Sequence, residues 1–500
     1  MLRLRRRGLA SINSEIRDGI VPAAAGVTVA PGPAEADRHP KTRSYRVVAL
    51  IIACALFMEQ MDATVLATAL PTMARDFGVP APSLSSALTA YLLALAIFIP
   101  ASGRLADRFG SKTVFRLAIL IFMGGSILCG QARGLPFLIL ARFLQGMGGA
   151  MMIPIGRLVL LRSVAKQDMV SATSWLIMPA LIGPIVGPPI GGFIVTYLDW
   201  RWIFYLNIPI GLLGVTLVSL FIDEVRGDKP PTTDLPGFLL SGISLGCLLF
   251  GFEMTSRSGE LRQALILIAV GLAAGAAYVR HARRRDAPIL DLSLMKVESF
   301  RLSVIGGSLT RITQGAQPFL LPLMLQLGFG MSAAVSGTIT IAGAIGSLAM
   351  KGLAPRVLRR FGFRASMIVA GLAASAGYGV CGFFRPSWPT PLIFATLMVS
   401  GFFMSFQFTA YNTIAYDEIP PARMSAATSF YATFQQLMLS LGICVGALAL
   451  HAAMLAGGRA TPRLSDFTAA FLAVTAISAL ATVWNRRFDA EAGAELSGRR

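Results

Sequence analysis

VVALIIACALFMEQMDATVLATALPT, residues 47–72, contains only two acidic or basic side chains, the carboxyl groups of Glu59 and Asp62. A helix needs about 20 mostly apolar residues to cross the hydrocarbon of a bilayer. This stretch is long enough to do so, which sets it apart from an ordinary core helix. Thirteen more stretches read the same way, at 84–102, 114–131, 136–158, 170–197, 202–222, 235–254, 261–280, 299–327, 333–353, 365–383, 390–414, 424–452 and 464–485. A transmembrane β-barrel would instead show short alternating segments. The reading is an all-α membrane protein with 14 transmembrane helices.

Composition agrees. Of the 500 residues 55% are hydrophobic and 14% charged, against roughly 25% charged in soluble chains. The net charge of +19 would suit a nucleic-acid binder if it were spread over one surface. Most Lys and Arg fall instead on one side of the predicted spans, in clusters such as Arg104/Arg108/Lys112, Arg280/Arg283/Arg284/Arg285 and Arg356/Arg359/Arg360/Arg364. Positive charge collects on the cytoplasmic side. An even number of spans puts both termini there, in a multi-pass protein of the cell (inner) membrane. The expected partner is therefore the lipid bilayer, with no nucleic acid, and with a monomer as the working form; protons and small organic substrates are the partners expected from the in-span acids and paired halves described below. Anionic lipid headgroups are a secondary partner for the basic loops.

Five cysteines lie singly inside spans, and His39, His281 and His451 are scattered, so no metal site is expected. No phosphate-binding G-x-x-x-x-G-K-[ST] loop occurs. No cofactor is expected; the energy source is an ion gradient, or the protein is a passive channel. No catalytic constellation appears, so the chain does not read as an enzyme. Residues 1–45 read as a disordered cytoplasmic tail and 487–500 as a second tail.

Two segments echo each other. Leu70-Pro71-Thr72-Met73 leads through Gly78 to Ser83, and Leu321-Pro322-Leu323-Met324 leads through Gly330 to Ser332. Arg108-Phe109-Gly110 and Arg360-Phe361-Gly362 repeat at a similar offset. The echoes fit an N-terminal six-helix bundle over 46–222 and a C-terminal one over 298–486. An inserted helix pair with flanking cytoplasmic loops fills 223–297. Paired halves of this kind place substrate between them.

Ionisable groups inside spans are costly and usually functional. Glu59 and Asp62, three residues apart, share one face of the first span and read as a proton-carrying pair; a vestibule position or a structural pairing is the plain alternative. Arg142 of the fourth span lies at a depth close to Asp62, on one face with Gln145, Gly146 and Gly149, and reads as its partner. Gly183, Gly187 and Gly191, with Pro184 and Pro188 beside them, form a flat, bendable face on the fifth span, either a hinge or close packing. Gly103 to Gly110, with Asp107 and Arg108, reads as a cytoplasmic loop after the second span, able to latch helix ends. Arg311 and Gln314 share a side of the ninth span. Asn412 lies on a polar stripe of the twelfth, and Thr433 and Gln436 on one of the thirteenth. All five are candidates for the substrate pathway, with a structural pair for Arg311 and interhelical hydrogen bonding for the two stripes as the plain alternatives. Trp200, Trp202 and Tyr205 read as interface anchors.

Taken together, Met61-Asp62-Ala63-Thr64 through Leu70-Pro71, the Gly103–Gly110 signature, Arg142 with Gln145-Gly146-Met147-Gly148, Gly183-Pro184 through Gly191-Gly192, and Trp200-Arg201-Trp202 through Asn207-Ile208-Pro209 resemble the major facilitator superfamily. The likeness is to its EmrB/QacA-type 14-span drug:proton antiporters, and Gln145–Arg157 is most similar to the MdtD-like branch. The resemblance implies alternating access by rocking bundles, proton coupling through Asp62 and Arg142, a conformational latch that includes Asp107, and an antiport role for the fifth span. Ala67 stands where the family often has Asn. Other readings are a metabolite or siderophore exporter of the same fold, or a non-transporting membrane sensor.

Overall fold

The computed structural model describes residues 45–164, 168–224, 234–255 and 260–497. The tail expected over 1–45 therefore lies, except for Tyr45, outside the described residues. Among them there is no strand. Each predicted span is helical. The helices are α1 (Tyr45–Phe77), α2 (Ser85–Phe109), α3 (Ser111–Gly130), α4 (Leu135–Ser163), α5 (Met169–Tyr197), α6 (Trp202–Phe221), α7 (Leu235–Met254), α8 (Leu261–Ala282), α9 (Glu298–Leu323), α10 (Ala333–Phe361), α11 (Phe363–Cys381), α12 (Thr390–Ile414), α13 (Met424–Ala456) and α14 (Leu464–Trp484). In lipid a helix satisfies its own backbone groups, so long apolar runs have no better choice.

Twelve of these are long and apolar enough to cross a membrane. The other two are α5, which counts over Ile182–Tyr197 as a shorter apolar helix, and α9, which carries Glu298, Arg301 and Arg311. Most of α9 is buried, and a helix screened from lipid by its neighbours can keep polar groups that a lipid-facing one cannot.

Packing repeats between the halves. α1 lies against α5 as α9 lies against α13, α2 against α4 as α10 against α12, and α3 against α4 as α11 against α12. Two seams join the halves, α5 on α10 and α2 on α13. α7 and α8 pack on each other, and α7 rests on both α2 and α13. The sequence echo is also a backbone echo. Gly78 and Gly330 have φ of 65° and 71°, and Gly110 and Gly362 have φ of 95° and 74°, the left-handed region that glycine reaches without penalty. Each ends a helix at the matching place.

Two expectations need correction. Gly103–Phe109 is not loop but the last turns of α2, which stops only at Gly110. Likewise Arg356, Arg359 and Arg360 lie within α10, which runs on to Phe361. These helices project past their apolar windows because nothing breaks them before the glycine. Trp200 is also not a free interface anchor. It is buried, donates its indole N–H to Asp76 at 3.0 Å, and packs edge-on against Phe77. Trp202, 55% exposed, fits that role.

The two ends of the bundle differ. At the far end, away from where α1 begins and α14 stops, one apolar cluster runs through both halves, from Leu66, Leu70 and Met73 to Phe319, Leu320 and Leu450. Gln326 donates to the Thr68 carbonyl at 3.0 Å, and the Ala334 N–H to the Thr196 hydroxyl at 3.0 Å, both across the halves. At the near end the apolar side chains fall into separate clusters, one centred on α1, α3 and α4 and another on α10, α11 and α12. The cross-half apolar contact is continuous at the far end, whereas at the near end it is divided among separate clusters, with Ala101 of α2 packed on one built from α9 and α13.

Candidate functional site

The glycines of α5 set the position of α1. A methyl group at Gly183 would meet Gln60 and Met61, one at Gly187 would meet Thr64, and one at Gly191 would meet Thr68 and Val65. Four-residue spacing on both helices lets the two backbones close up. Pro184 and Pro188 sit inside α5, which continues through them as helix. On its other side Gly192 abuts Ala333, and Pro188 abuts Gly337 of α10. The motif is thus a two-sided packing strip joining α1 to the opposite half.

Held this way, α1 points Asp62 into the first half, where it is buried. Arg142 of α4 donates through Nη1 to Asp62 Oδ2 at 2.6 Å. Gln145 and Asn207 each donate to Asp62 Oδ1 at 2.9 Å, and both also reach Ser126 Oγ, at 2.7 and 2.9 Å. Arg142 further donates to Gln145 Oε1 at 2.6 Å and to the Ala87 carbonyl at 3.4 Å, and lies 4.4 Å from the Tyr91 ring centroid. Two helices other than α1, namely α4 and α6, therefore bond this carboxylate directly, and α2 and α3 join the network through Arg142 and Ser126. A buried ion pair is tolerated only when its remaining donors and acceptors are also matched; both Asp62 oxygens are matched here, while Asn207 Oδ1 in the same network has no partner among the described residues.

Glu59 differs. It is also buried, yet its Oε2 has no hydrogen-bond partner among the described residues, and neither does the hydroxyl of nearby Tyr91. Burying an unpaired carboxylate is expensive, and protonation removes the charge.

The other candidates fall in three places. Arg311 is buried, donates to Gln314 Oε1 at 2.6 Å and stands 3.8 Å from the Phe408 ring centroid, with no carboxylate in ion-pair range among the described residues. Asn412 accepts from Gln435 at 2.7 Å, while the Thr433 hydroxyl and Gln436 Oε1 are buried without partners among the described residues. In the Gly103–Gly110 segment, Arg104 donates to the Ala287 and Pro288 carbonyls at 3.2 and 3.0 Å. Gly110 turns the chain so that Glu224, just past α6, accepts the Lys112 and Thr113 N–H groups at 3.0 and 3.2 Å. A side chain at Gly110 would collide with that carboxylate. Arg108 stacks on Phe109, and Asp107 is engaged rather than free.

Sequence reasoning missed Ser126, Asn207 and Tyr91 as parts of the Asp62 site. A lone Asn inside an apolar span was the available signal for Asn207. It also missed Glu253, a buried acid on α7 that accepts from the Thr89 hydroxyl at 2.8 Å. Its place beside the end of an apolar run disguised it.

Residues 52–443 and 303–496 match the family model described as Major Facilitator Superfamily. The chain is 36% identical over 412 residues to the "Probable transport protein HsrA" of Haemophilus influenzae, covering 82% of this chain and 89% of that protein. It is 33% identical over 445 residues to the "Putative multidrug resistance protein MdtD" of Pectobacterium carotovorum, covering 87% and 94%. A POT family transporter in complex with 5-aminolevulinic acid superposes with a TM-score of 0.65 at 15% identity, covering 88% of this chain and 94% of that one. A D-xylose-proton symporter gives 0.62 at 16%, covering 88% and 97%. These two likenesses speak to the fold alone.

Proposed function

The chain belongs to the major facilitator superfamily, and from that premise we propose that this multi-pass membrane transporter exports small organic molecules by exchanging them for protons. Its membrane is the bacterial inner membrane, with both termini cytoplasmic. That orientation rests on the distribution of Lys and Arg, and it makes the near end the cytoplasmic one. The arrangement described above is then the inward-facing state, and the relatives named for multidrug resistance supply the substrate class.

The observation that carries the proposal is the buried Asp62–Arg142 pair with Glu59 one turn away on α1. Facing the cytoplasm, Asp62 is charged and held by Arg142, Gln145 and Asn207. This is the proton-depleted form, ready for substrate. Once the loaded carrier has turned outward, a proton delivered to Asp62, directly or by way of Glu59, removes the Asp62 charge and loosens Arg142. The neutral site favours return to the inward form, where the proton leaves. Protonation must favour one conformer over the other, because a ligand with equal affinity for both shifts nothing.

Everted membrane vesicles test this. Adding ethidium or tetraphenylphosphonium should dissipate an imposed pH gradient, and Asp62→Asn should abolish the response. Transport that ignores the gradient and survives Asp62→Asn would rule the scheme out.

A further inference from the structure

Arg142 shows how this protein accommodates a cation deep in the bundle. It donates to a carboxylate, to an amide oxygen and to a backbone carbonyl. Arg311, at the middle of α9 in the other half, is treated differently. A guanidinium carries five N–H donors. Among the described residues only one bond uses them, from Nη1 to Gln314 Oε1 at 2.6 Å. Gln314 is itself fixed, donating to the Met404 carbonyl of α12 at 3.4 Å. The Tyr431 hydroxyl of α13 stands nearby without making a hydrogen bond of ordinary geometry. Leaving a buried cation so thinly matched costs free energy, and an anion arriving from outside would recover it.

The guanidinium is held tightly but not sealed. Nε and Nη2 carry no hydrogen bond among the described residues, yet neither is closed off from the interior space. The Phe408 ring, whose centroid is 3.8 Å from Arg311, is 41% exposed. One turn further on, Asn412 donates to the Phe408 carbonyl at 2.6 Å and accepts from Gln435 of α13 at 2.7 Å. A ring bordered by Arg, Asn and Gln side chains turns its free surface to the interior, because those groups do not face hydrocarbon. Aromatic surface therefore lies directly beside a cation with donors to spare.

The approach from the near end is cationic as well. Arg157 of α4 is exposed and lies within electrostatic reach of Tyr416, just past α12, across the two halves. Tyr416 packs edge-on against Tyr431 at 5.8 Å. The two acids that follow Tyr416 are engaged elsewhere, Asp417 with the Gly493 N–H and Glu418 with the Ser299 N–H. A cleft lined by one sign of charge draws in ligands of the other.

We propose that Arg311 is the receptor for the carboxylate of ring-bearing organic acids, with Phe408 as the wall for the ring. This deepens the export reading by naming one class of substrate, and it rests on that reading for the direction of transport.

The probe is dansylglycine, a ring-bearing carboxylate. Its fluorescence is followed as it is titrated into the full-length protein in phosphatidylcholine nanodiscs, with empty nanodiscs subtracted. Binding should saturate. Dansylamide, which keeps the ring and lacks the carboxylate, should bind at least tenfold more weakly. Arg311→Gln should weaken dansylglycine binding at least tenfold, and Arg311→Lys, which keeps the charge but not the fork of donors, should fall between. Equal binding of the two probes would mean an apolar surface only. Binding unchanged in Arg311→Gln would place the acid elsewhere, and displacement by equimolar inorganic phosphate would make this a simple ion site. Each of these results, or no saturable binding at all, overturns the proposal. Should Arg311→Gln fail to fold, the two probes on the unaltered protein still decide. Binding requires no gradient, so the two readings fail separately. Dansylglycine bound but never moved by everted vesicles would sink the export reading alone. Gradient-driven movement of ethidium without carboxylate binding would sink this one alone.

Discussion

At the scale of single residues, burial makes pairing matter. Arg142→Ala leaves Asp62 without its cation, a loss of about 3–5 kcal/mol for a buried pair broken on one side. The Asp62→Ala/Arg142→Ala double variant should lose less than the two single variants together, since it strands no charge. Unfolding of the detergent-solubilised protein measures all three, and strict additivity would contradict the network described here. Asn207→Ala removes one of two donors to Asp62 Oδ1 and should cost about 1.5–3 kcal/mol. Asp234, just ahead of α7, poses a pH question. Burial works to raise its pKa, but hydrogen bonds from His281 at 2.6 Å and from the Gly237 and Ile289 N–H groups outweigh it and hold the carboxyl below its ordinary value. A depressed folded pKa contributes stability that is complete above the unfolded value, about 3.9, and fades as pH falls through the folded one. Asp234→Asn should therefore lower the melting temperature at pH 7 and lose that deficit in strong acid. A deficit that stays constant with pH would refute this.

At the scale of helices, not all signature glycines are equal. Gly187 faces Thr64 with no room for a methyl group, whereas Gly103, inside α2, has nothing within reach. Gly187→Ala should cost about 1–3 kcal/mol through overpacking and impair transport. Gly103→Ala should be neutral or stabilising by about 0.5–1 kcal/mol, as expected for a helix interior. Thermal unfolding of the two variants side by side separates the cases. The same contrast shows what the sequence could disclose. The 14 apolar runs mapped onto helices because length and hydropathy are local properties, and Asp62 with Arg142 was legible because charges inside spans stand out. Asn207 and Ser126 are uncharged, so their role depends on which helices touch, and no spacing within one helix reveals that. The Gly103–Phe109 segment misled because its charge suggested a loop, while helix propensity carried α2 on to the positive-φ glycine.

At the scale of the whole molecule, the far-end seal is what must open. Thr196 of α5 touches Ala334 of α10 there. A Thr196→Cys/Ala334→Cys pair bridged by a short bifunctional thiosulfonate should stop transport, and reduction should restore it; transport that continues through the cross-link would mean this seal does not move. The two seams between the halves are also unlike in what surrounds them. α5 and α10 meet directly through glycine-lined backbone, whereas α7 lies across both α2 and α13. One flank of the molecule is thus shuttered and the other bare, despite the near-twofold arrangement of the helices. A hydrophobic compound dissolved in the membrane therefore meets two inequivalent flanks, one covered by an extra pair of helices and one closed only by the α5–α10 backbone contact.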